Sequence, residues 1–286
     1  MKVALIGSTG KVGRAWRRLS ALESSAVNLS RLGGVAEFDL SGADGVKKLG
    51  GQIERERPAL FVLAAAMTDV DRCEREPAQA EQVNSSAVGE IARACAAAGA
   101  GLIFYSTDYV FDGSGPKGEG DLPAPLNVHG RTKLAAEHAI RQAGGDYLIV
   151  RINVPLAPEA DGDSFYSFVA RGLAGGAPVQ VVVDQWNNPL DTDRIARWSL
   201  AAWARGERGV LHLGGGTYAT RFDIARAIAV GLGADPSRVV PVKTAELGQL
   251  ALRPARGGLL CVRQAELFGT APDLKTILEA LLPPTE

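Results

Sequence analysis

The first 150 residues alternate short, mostly apolar runs with longer stretches in which apolar residues recur every three or four positions. The short runs stand at residues 2–6, 26–29, 35–38, 59–63, 102–105 and 147–150. Runs of four to six residues without strict alternation predict strands buried on both faces, as in a parallel sheet. The longer stretches, 11–22, 42–57, 77–98 and 129–143, predict helices. Strand and helix in turn predict an α/β fold with a doubly wound parallel sheet. Beyond residue 150 the pattern loosens. Strands are expected at 179–183, 210–213 and 258–262, and helices at 165–173, 191–204 and 221–231. This predicts a domain over residues 1–150 and a smaller lobe over 151–286 that partly returns to the sheet.

Composition adds bounds. The chain has 286 residues, 46% of them apolar and 22% charged, enough for a sizeable core. A formal net charge of −1 argues against a nucleic-acid or anionic-membrane partner. Cys73, Cys95 and Cys261 are widely spaced and form no Cys-x-x-Cys pair, so no metal site is expected and reduced thiols in the cytoplasm are. The chain enters its first strand without a basic-then-apolar leader, and no apolar run approaches the roughly 18 residues that span a bilayer.

The sharpest chemical signal near the N-terminus is Gly7-Ser8-Thr9-Gly10-Lys11-Val12-Gly13, between the first strand and the first helix. Glycines there allow a tight turn and close backbone approach, and the helix N-terminus offers free N–H groups to a pyrophosphate. A purely structural strand–helix turn is the alternative. In this context the motif points to a Rossmann-type dinucleotide site. No acidic residue follows the second strand to hold the adenosine ribose of NAD. Ser30 and Arg31 stand there and suit a 2′-phosphate, which favours NADP with NAD as the alternative; Arg31 as an ordinary solvated arginine is the bland reading.

A second signal lies at residues 102–133. A buried strand runs into Ser106-Thr107-Asp108, and a Gly- and Pro-rich loop leads to His129-Gly130-Arg131-Thr132-Lys133 at a helix start. Hydroxyls at a strand's C-terminal end face the crevice where open α/β sheets bind ligands. His129 and Lys133, one helical turn apart, share a face.

With these runs the chain resembles the extended short-chain dehydrogenase/reductases, and among them the dTDP-4-dehydrorhamnose reductase family, which includes the regulatory β subunit of methionine adenosyltransferase. The family's Ser/Thr-Asp-Tyr-Val-Phe-Asp-Gly run ends here at Asp108-Tyr109-Val110-Phe111-Asp112-Gly113, and its Tyr-Gly-x-x-Lys run stands as His129-Gly130-Arg131-Thr132-Lys133. The resemblance covers nearly the whole chain and is closest before Arg151. It implies an NADP-dependent reductase of a nucleotide-linked 4-keto-6-deoxysugar, with a homodimer as the family-level assembly. Gly7, Thr9, Gly10, Lys11, Val12 and Gly13 would then hold the cofactor pyrophosphate. Asp39 and Leu40 would lie beside the adenine, unless Asp39 caps the next helix. Ala64, Ala65 and Ala66 would pass the cofactor. Thr68, Asp69, Ser106, Asp108, Val110, Phe111, Asn153 and Arg253 would line the substrate side, with Asn84 near the site or merely solvated.

The same resemblance makes Thr107, residue 129 and Lys133 the catalytic set: a hydroxyl on the carbonyl oxygen, a proton donor, and a lysine on the nicotinamide ribose. The donor is a tyrosine in the family and His129 here. Three readings follow: His129 is the acid, a water relayed by it is, or catalysis is lost. The last makes the rival function a non-catalytic NADP-binding regulatory or sensor subunit of a partner enzyme. An ordinary histidine titrates near about 6.5, in the useful range, but a Lys133 ammonium would push it down.

Overall fold

The structure, a computed structural model, describes residues 1–22, 28–30, 38–158 and 164–281. The first half contains β1 (Lys2–Ile6), α1 (Lys11–Leu22), β2 (Asn28–Ser30), α2 (Ala43–Glu56), β3 (Leu60–Leu63), α3 (Val70–Arg75), α4 (Pro77–Glu81), α5 (Ala87–Ala98), β4 (Gly101–Thr107), α6 (Val128–Ala143) and β5 (Tyr147–Ile152). The second half contains β6 (Pro155–Leu156), α7 (Phe165–Ala174), β7 (Val179–Val182), β8 (Trp186–Asn187), β9 (Leu190–Asp191), α8 (Thr192–Ala204), β10 (Gly209–Leu213), β11 (Ala219–Thr220), α9 (Arg221–Gly231), β12 (Val239–Val242), α10 (Val262–Phe268) and α11 (Leu274–Leu281).

Six strands form one sheet in the order β10-β5-β4-β3-β1-β2. Every pairing in it is parallel. The continuous apolar runs have the reason expected of them: both faces are covered. Val3, Leu5, Leu60, Val62, Ile103 and Tyr105 point into one core, beneath α1 and α8. Ala4, Ile6, Phe61, Leu63, Leu102 and Phe104 point into the other, beneath α2, α5 and α6. From β1 the chain goes outward to β2 and then returns to β3 on the opposite side. The strand order therefore reverses at β1, and the crevice at the carboxyl ends of these strands is where such sheets bind ligands.

Three expectations change. The helix foreseen over 77–98 is interrupted by a π-helical turn at Gln82–Ser86. The strand foreseen at 258–262 is absent. The segment makes only an isolated parallel bridge with Lys117, and side chains take other main-chain groups: Gly258 N–H donates to the Asp108 carboxylate at 3.1 Å, and Asn188 bonds both the N–H and the carbonyl of Leu259 at 3.0 Å. Val262 already opens α10. Residues 26–27 and 35–37 of two predicted strands lie outside the described residues, and Phe38 is buried without being in a strand.

Candidate active site

The β1–α1 turn is shaped by contact that no side chain could share. Gly7 has φ +84°, and a Cβ on it would lie 2.4 Å from the Ala65 nitrogen. A Cβ on Gly13 would lie 2.0 Å from the Gly7 carbonyl oxygen. Gly13 therefore seats α1 against the turn and is not among the residues lining the cleft. Gly7, Thr9, Gly10, Lys11 and Val12 do line the cleft, as do Asp39, Leu40, Ala64, Ala65 and Ala66. The Asp39 carboxylate caps no helix. It accepts from the Ser41 N–H at 2.9 Å and the Ser41 hydroxyl at 2.7 Å. The strand β2 ends at Ser30, whose side chain, like all of Arg31, lies outside the described residues.

The cleft has a volume of about 1010 Å³, at the upper end of ligand pockets. A glycine turn opening onto the N-terminus of a 12-residue helix, with an alanine wall opposite, fits a dinucleotide pyrophosphate. Lys133 at the far end is the residue that would hold the nicotinamide ribose.

That far end is built by β4 and α6. Thr107 closes β4 and caps the short turn after it, accepting from the Tyr109 N–H at 3.1 Å. Its hydroxyl donates to Asp108 at 3.3 Å. The α6 helix begins where Asn127 accepts from the Gly130 N–H at 2.8 Å. A Cβ on Gly130 would lie 2.1 Å from the Tyr109 carbonyl oxygen, so α6 rests directly on the Tyr109 main chain. This brings Thr107, Tyr109, His129 and Lys133 onto one wall of the cleft.

Burial governs their charges. It pushes the His129 imidazole down to about 3, with Lys133 adding to the shift and a bond to the Met67 main chain opposing it. Burial thus favours the neutral ring near pH 7, which weighs against the imidazolium reading. Burial likewise lowers the Lys133 ammonium to about 7, against the opposing charge of Glu137. The Lys133 Nζ sits 3.9 Å from the centroid of the Phe104 ring.

The expected substrate residues divide. Thr68, Ser106 and Asp108 line the cleft, although the Ser106 hydroxyl is spent on Glu137 at 2.6 Å. Val110 and Phe111 do not line it; they are buried against Leu259. Asn153 is 1% exposed, bonded to Asp108 and to the Asn188 N–H, and holds the lobe together instead of facing a ligand. Asp69 caps α3, accepting from the Arg72 N–H at 2.9 Å. Arg253 pairs with Asp71 at 3.0 Å and does not line the cleft.

Two cleft residues escaped the sequence reading. Tyr109 stands edge-on to His129, ring centroids 6.0 Å apart. Arg221 enters the cleft from the first position of α9, and its charge lowers the pKa of the Tyr109 phenol. A signal for Arg221 existed. Thr220 and Asp223 spell a helix start, and a cation in a first helical turn opposes the helix dipole, so it needs another reason to be there.

The RmlD substrate binding domain family matches residues 1–283. The chain belongs to this family. It is 35% identical over 269 residues to dTDP-4-dehydrorhamnose reductase of Mycolicibacterium smegmatis, covering 93% of this chain and 80% of that protein. It is 33% identical over 287 residues to dTDP-4-dehydrorhamnose reductase of Burkholderia thailandensis, covering 94% and 93%. Among solved structures, a dTDP-4-dehydrorhamnose reductase from Clostridium acetobutylicum superposes with a TM-score of 0.87 at 27% identity, covering 98% of this chain and 99% of that one. The enzyme of that name from Bacillus anthracis, in complex with NADP, gives a TM-score of 0.89 at 24% identity, with 98% of each chain covered. Membership in this family agrees with the Rossmann-type reading of the sheet and its glycine turn. Among the described residues no helix is long and apolar enough to cross a membrane, and no cluster of His, Cys, Asp and Glu could hold a metal ion.

Proposed function

We propose that this protein is an NADP-dependent reductase of a nucleotide-linked 4-keto-6-deoxysugar of the dTDP-4-dehydrorhamnose type. One observation carries the reading. A single cleft runs from the glycine turn of β1–α1 to the wall bearing Thr107, Tyr109, His129 and Lys133, in a chain whose relatives carry the reductase name. NADPH, when bound, supplies the hydride that reduces the ketone. The chain's own part is to hold, orient and protonate. The glycine turn and the first N–H groups of α1 take the pyrophosphate. Lys133, drawn to a pKa of about 7, is a hydrogen-bonding partner for a ribose with a charge that changes near neutrality. Thr107, fixed as a cap, presents its oxygen at the carboxyl end of β4.

NADP is favoured because one neighbour in fold binds it, with NAD as the alternative because a neighbour of 20% identity, in complex with UDP-glucuronic acid, carries NAD. We assign residues 1–150 to the cofactor side and residues 151–286 mainly to the substrate side. A homodimer and a cytoplasmic location belong to the same reading, the latter in keeping with three unpaired cysteines. The regulatory-subunit alternative is not favoured, since the relatives above are named as reductases. Oxidation of NADPH followed by absorbance with dTDP-4-keto-6-deoxysugar tests the reading. Turnover is expected; binding of NADPH without turnover of any keto sugar nucleotide would overturn it.

A further inference from the structure

In this cleft His129 is the group that position and family motif nominate as proton donor, and it is badly suited to the task. Its ring is buried, lies beside the Lys133 amine, and approaches the buried Cys73 thiol at 4.0 Å. A phenol stands next to it. Tyr109 is half-buried on the cleft wall, its ring edge-on to the imidazole at 6.0 Å between centroids.

We propose that Tyr109, with Arg221 in the same cleft, donates the proton to the carbonyl oxygen in place of residue 129. The proposal rests on the reductase reading. Burial raises the Tyr109 phenol's pKa and the Arg221 charge opposes it, so the guanidinium favours the phenolate that proton donation leaves behind. The Arg221 Nε is buried with no hydrogen-bond partner, and the guanidinium lies over the Phe165 ring, 5.2 Å from its centroid. The ring contact seats the cation in the cleft that Tyr109 also lines. The phenol's main chain is equally fixed: its N–H is held by Thr107, and its carbonyl lies under Gly130. The two groups of the proposed carbonyl clamp, Thr107 and Tyr109, are thus two residues apart on one rigid turn.

The step balances. The hydride of NADPH, with its electron pair, reaches the carbonyl carbon; NADPH is oxidised and the ketone reduced. The Tyr109 O–H bond breaks, its proton goes to the former carbonyl oxygen, and the phenolate is left beside Arg221 until solvent reprotonates it. Four groups face the phenol: Asp108 beside it in sequence, His129 from α6, Arg221 from α9 and Arg253 from the C-terminal lobe. Burial raises the phenol's pKa, Arg221 and Arg253 lower it, and Asp108 raises it. The net rise keeps the proton on the oxygen at neutral pH, ready to be given. Activity therefore falls as pH rises through the phenol's value, well into the alkaline range.

The test follows NADPH oxidation with dTDP-4-keto-6-deoxysugar against pH for the wild type, Tyr109→Phe and His129→Gln. NADPH binding is followed by fluorescence, and the 295 nm difference spectrum between wild type and Tyr109→Phe titrates the phenol itself. Tyr109→Phe keeps the ring and its packing. It is expected to bind NADPH, to lose about 10²–10⁴-fold in kcat, the usual worth of a general acid, and to lose the alkaline limb. Arg221→Gln is expected to move the phenol's midpoint upward. If Tyr109→Phe keeps wild-type turnover while His129→Gln loses it, or if Arg221→Gln leaves the midpoint in place, the proposal is overturned and the reductase reading stands. A wild type that binds NADPH and reduces nothing overturns both.

Discussion

Asn84 holds the main chain of Met67 from both sides. Its Oδ1 accepts from the Met67 N–H at 2.8 Å, and its Nδ2 donates to the Met67 carbonyl at 3.0 Å. Asn84 is 1% exposed and sits in the π-helical turn between α4 and α5. The extra residue of that turn rotates the asparagine toward the loop after β3, and such turns recur at functional sites. Replacing Asn84 with Ala removes the Met67 N–H's acceptor and one of the donors to its carbonyl, leaving that carbonyl to Cys73. Urea unfolding is expected to show a loss of about 1–3 kcal/mol. Asn84→Asp, which keeps the acceptor and removes the donor, should lose less if the pair is structural.

A second buried pair ties β5 to α6. Glu137 is fully buried and bonds the Arg151 guanidinium through both oxygens, at 2.9 and 2.6 Å, while Ser106 donates to it as well. Burial alone would raise the Glu137 carboxyl, but the bond and charge of Arg151, helped by Ser106 and Arg141, outweigh it and leave the carboxyl below its ordinary value. A lowered carboxyl contributes stability above its unfolded value of 4.5, lost as pH falls through the folded value. Arg151→Met strands the carboxylate and is expected to cost about 3–5 kcal/mol at pH 7 in chemical unfolding. The penalty should shrink below pH 4.5, where Glu137 can protonate; a penalty independent of pH would contradict the pairing.

Lys133 is predicted to weaken the fold it serves. Its folded pKa of about 7 lies below the ordinary 10.5 because burial disfavours the ammonium. Below pH 7 both folded and unfolded chains carry the proton, and the full burial cost is present. Between 7 and 10.5 only the unfolded chain carries it, so the folded chain gains about 1.4 kcal/mol for each pH unit. Lys133→Met should melt above the wild type at pH 6, with the gap closing toward pH 10, and should have lost turnover. A wild type that out-melts the variant at pH 6 would show that Lys133 is held by more than its pairing with Glu137.

His129 acts in the same direction over a lower pH range. Its folded value of about 3 against 6.5 means that the neutral ring is favoured in the fold. Its contribution is complete above pH 6.5 and lost as pH falls from there toward 3, because the unfolded chain takes up the proton first. His212, lowered to about 4 by burial and by Arg151, acts in the same direction. Melting temperature should decline as pH falls below 6.5, and more shallowly in His129→Gln. A histidine ring signal that titrates near 6.5 in the His129 assignment would refute the neutral-ring argument.

The sheet and the glycine turn could be read from the chain because their causes are local. A strand buried on both faces must be apolar throughout, and Gly7 and Gly13 sit where a Cβ would strike backbone. His129 and Lys133 were likewise legible from helical spacing. What could not be read arrives from far along the chain. Arg221 comes to the cleft 92 positions after His129. The segment at 258–262 has apolar residues enough for a strand, yet it pairs only in a bridge with Lys117 while Asp108 and Asn188 take the N–H groups of Gly258 and Leu259. Val110 and Phe111 stand in the reactive motif, and only the packing of Leu259 on them shows that they are core.

The bond between Trp16 and Tyr105 bears on how the two halves of the chemistry stay in step. The Trp16 Nε1 donates to the Tyr105 hydroxyl at 2.7 Å inside the core beneath α1. The helix whose N-terminus faces the pyrophosphate is thereby fastened to the strand whose end carries Thr107. The glycine turn at the head of α1 and Thr107 at the end of β4 are therefore held at one spacing by a bond inside the core. In the proposed reaction this spacing sets how far the cofactor's seat stands from the hydroxyl that would hold the carbonyl, before any sugar arrives.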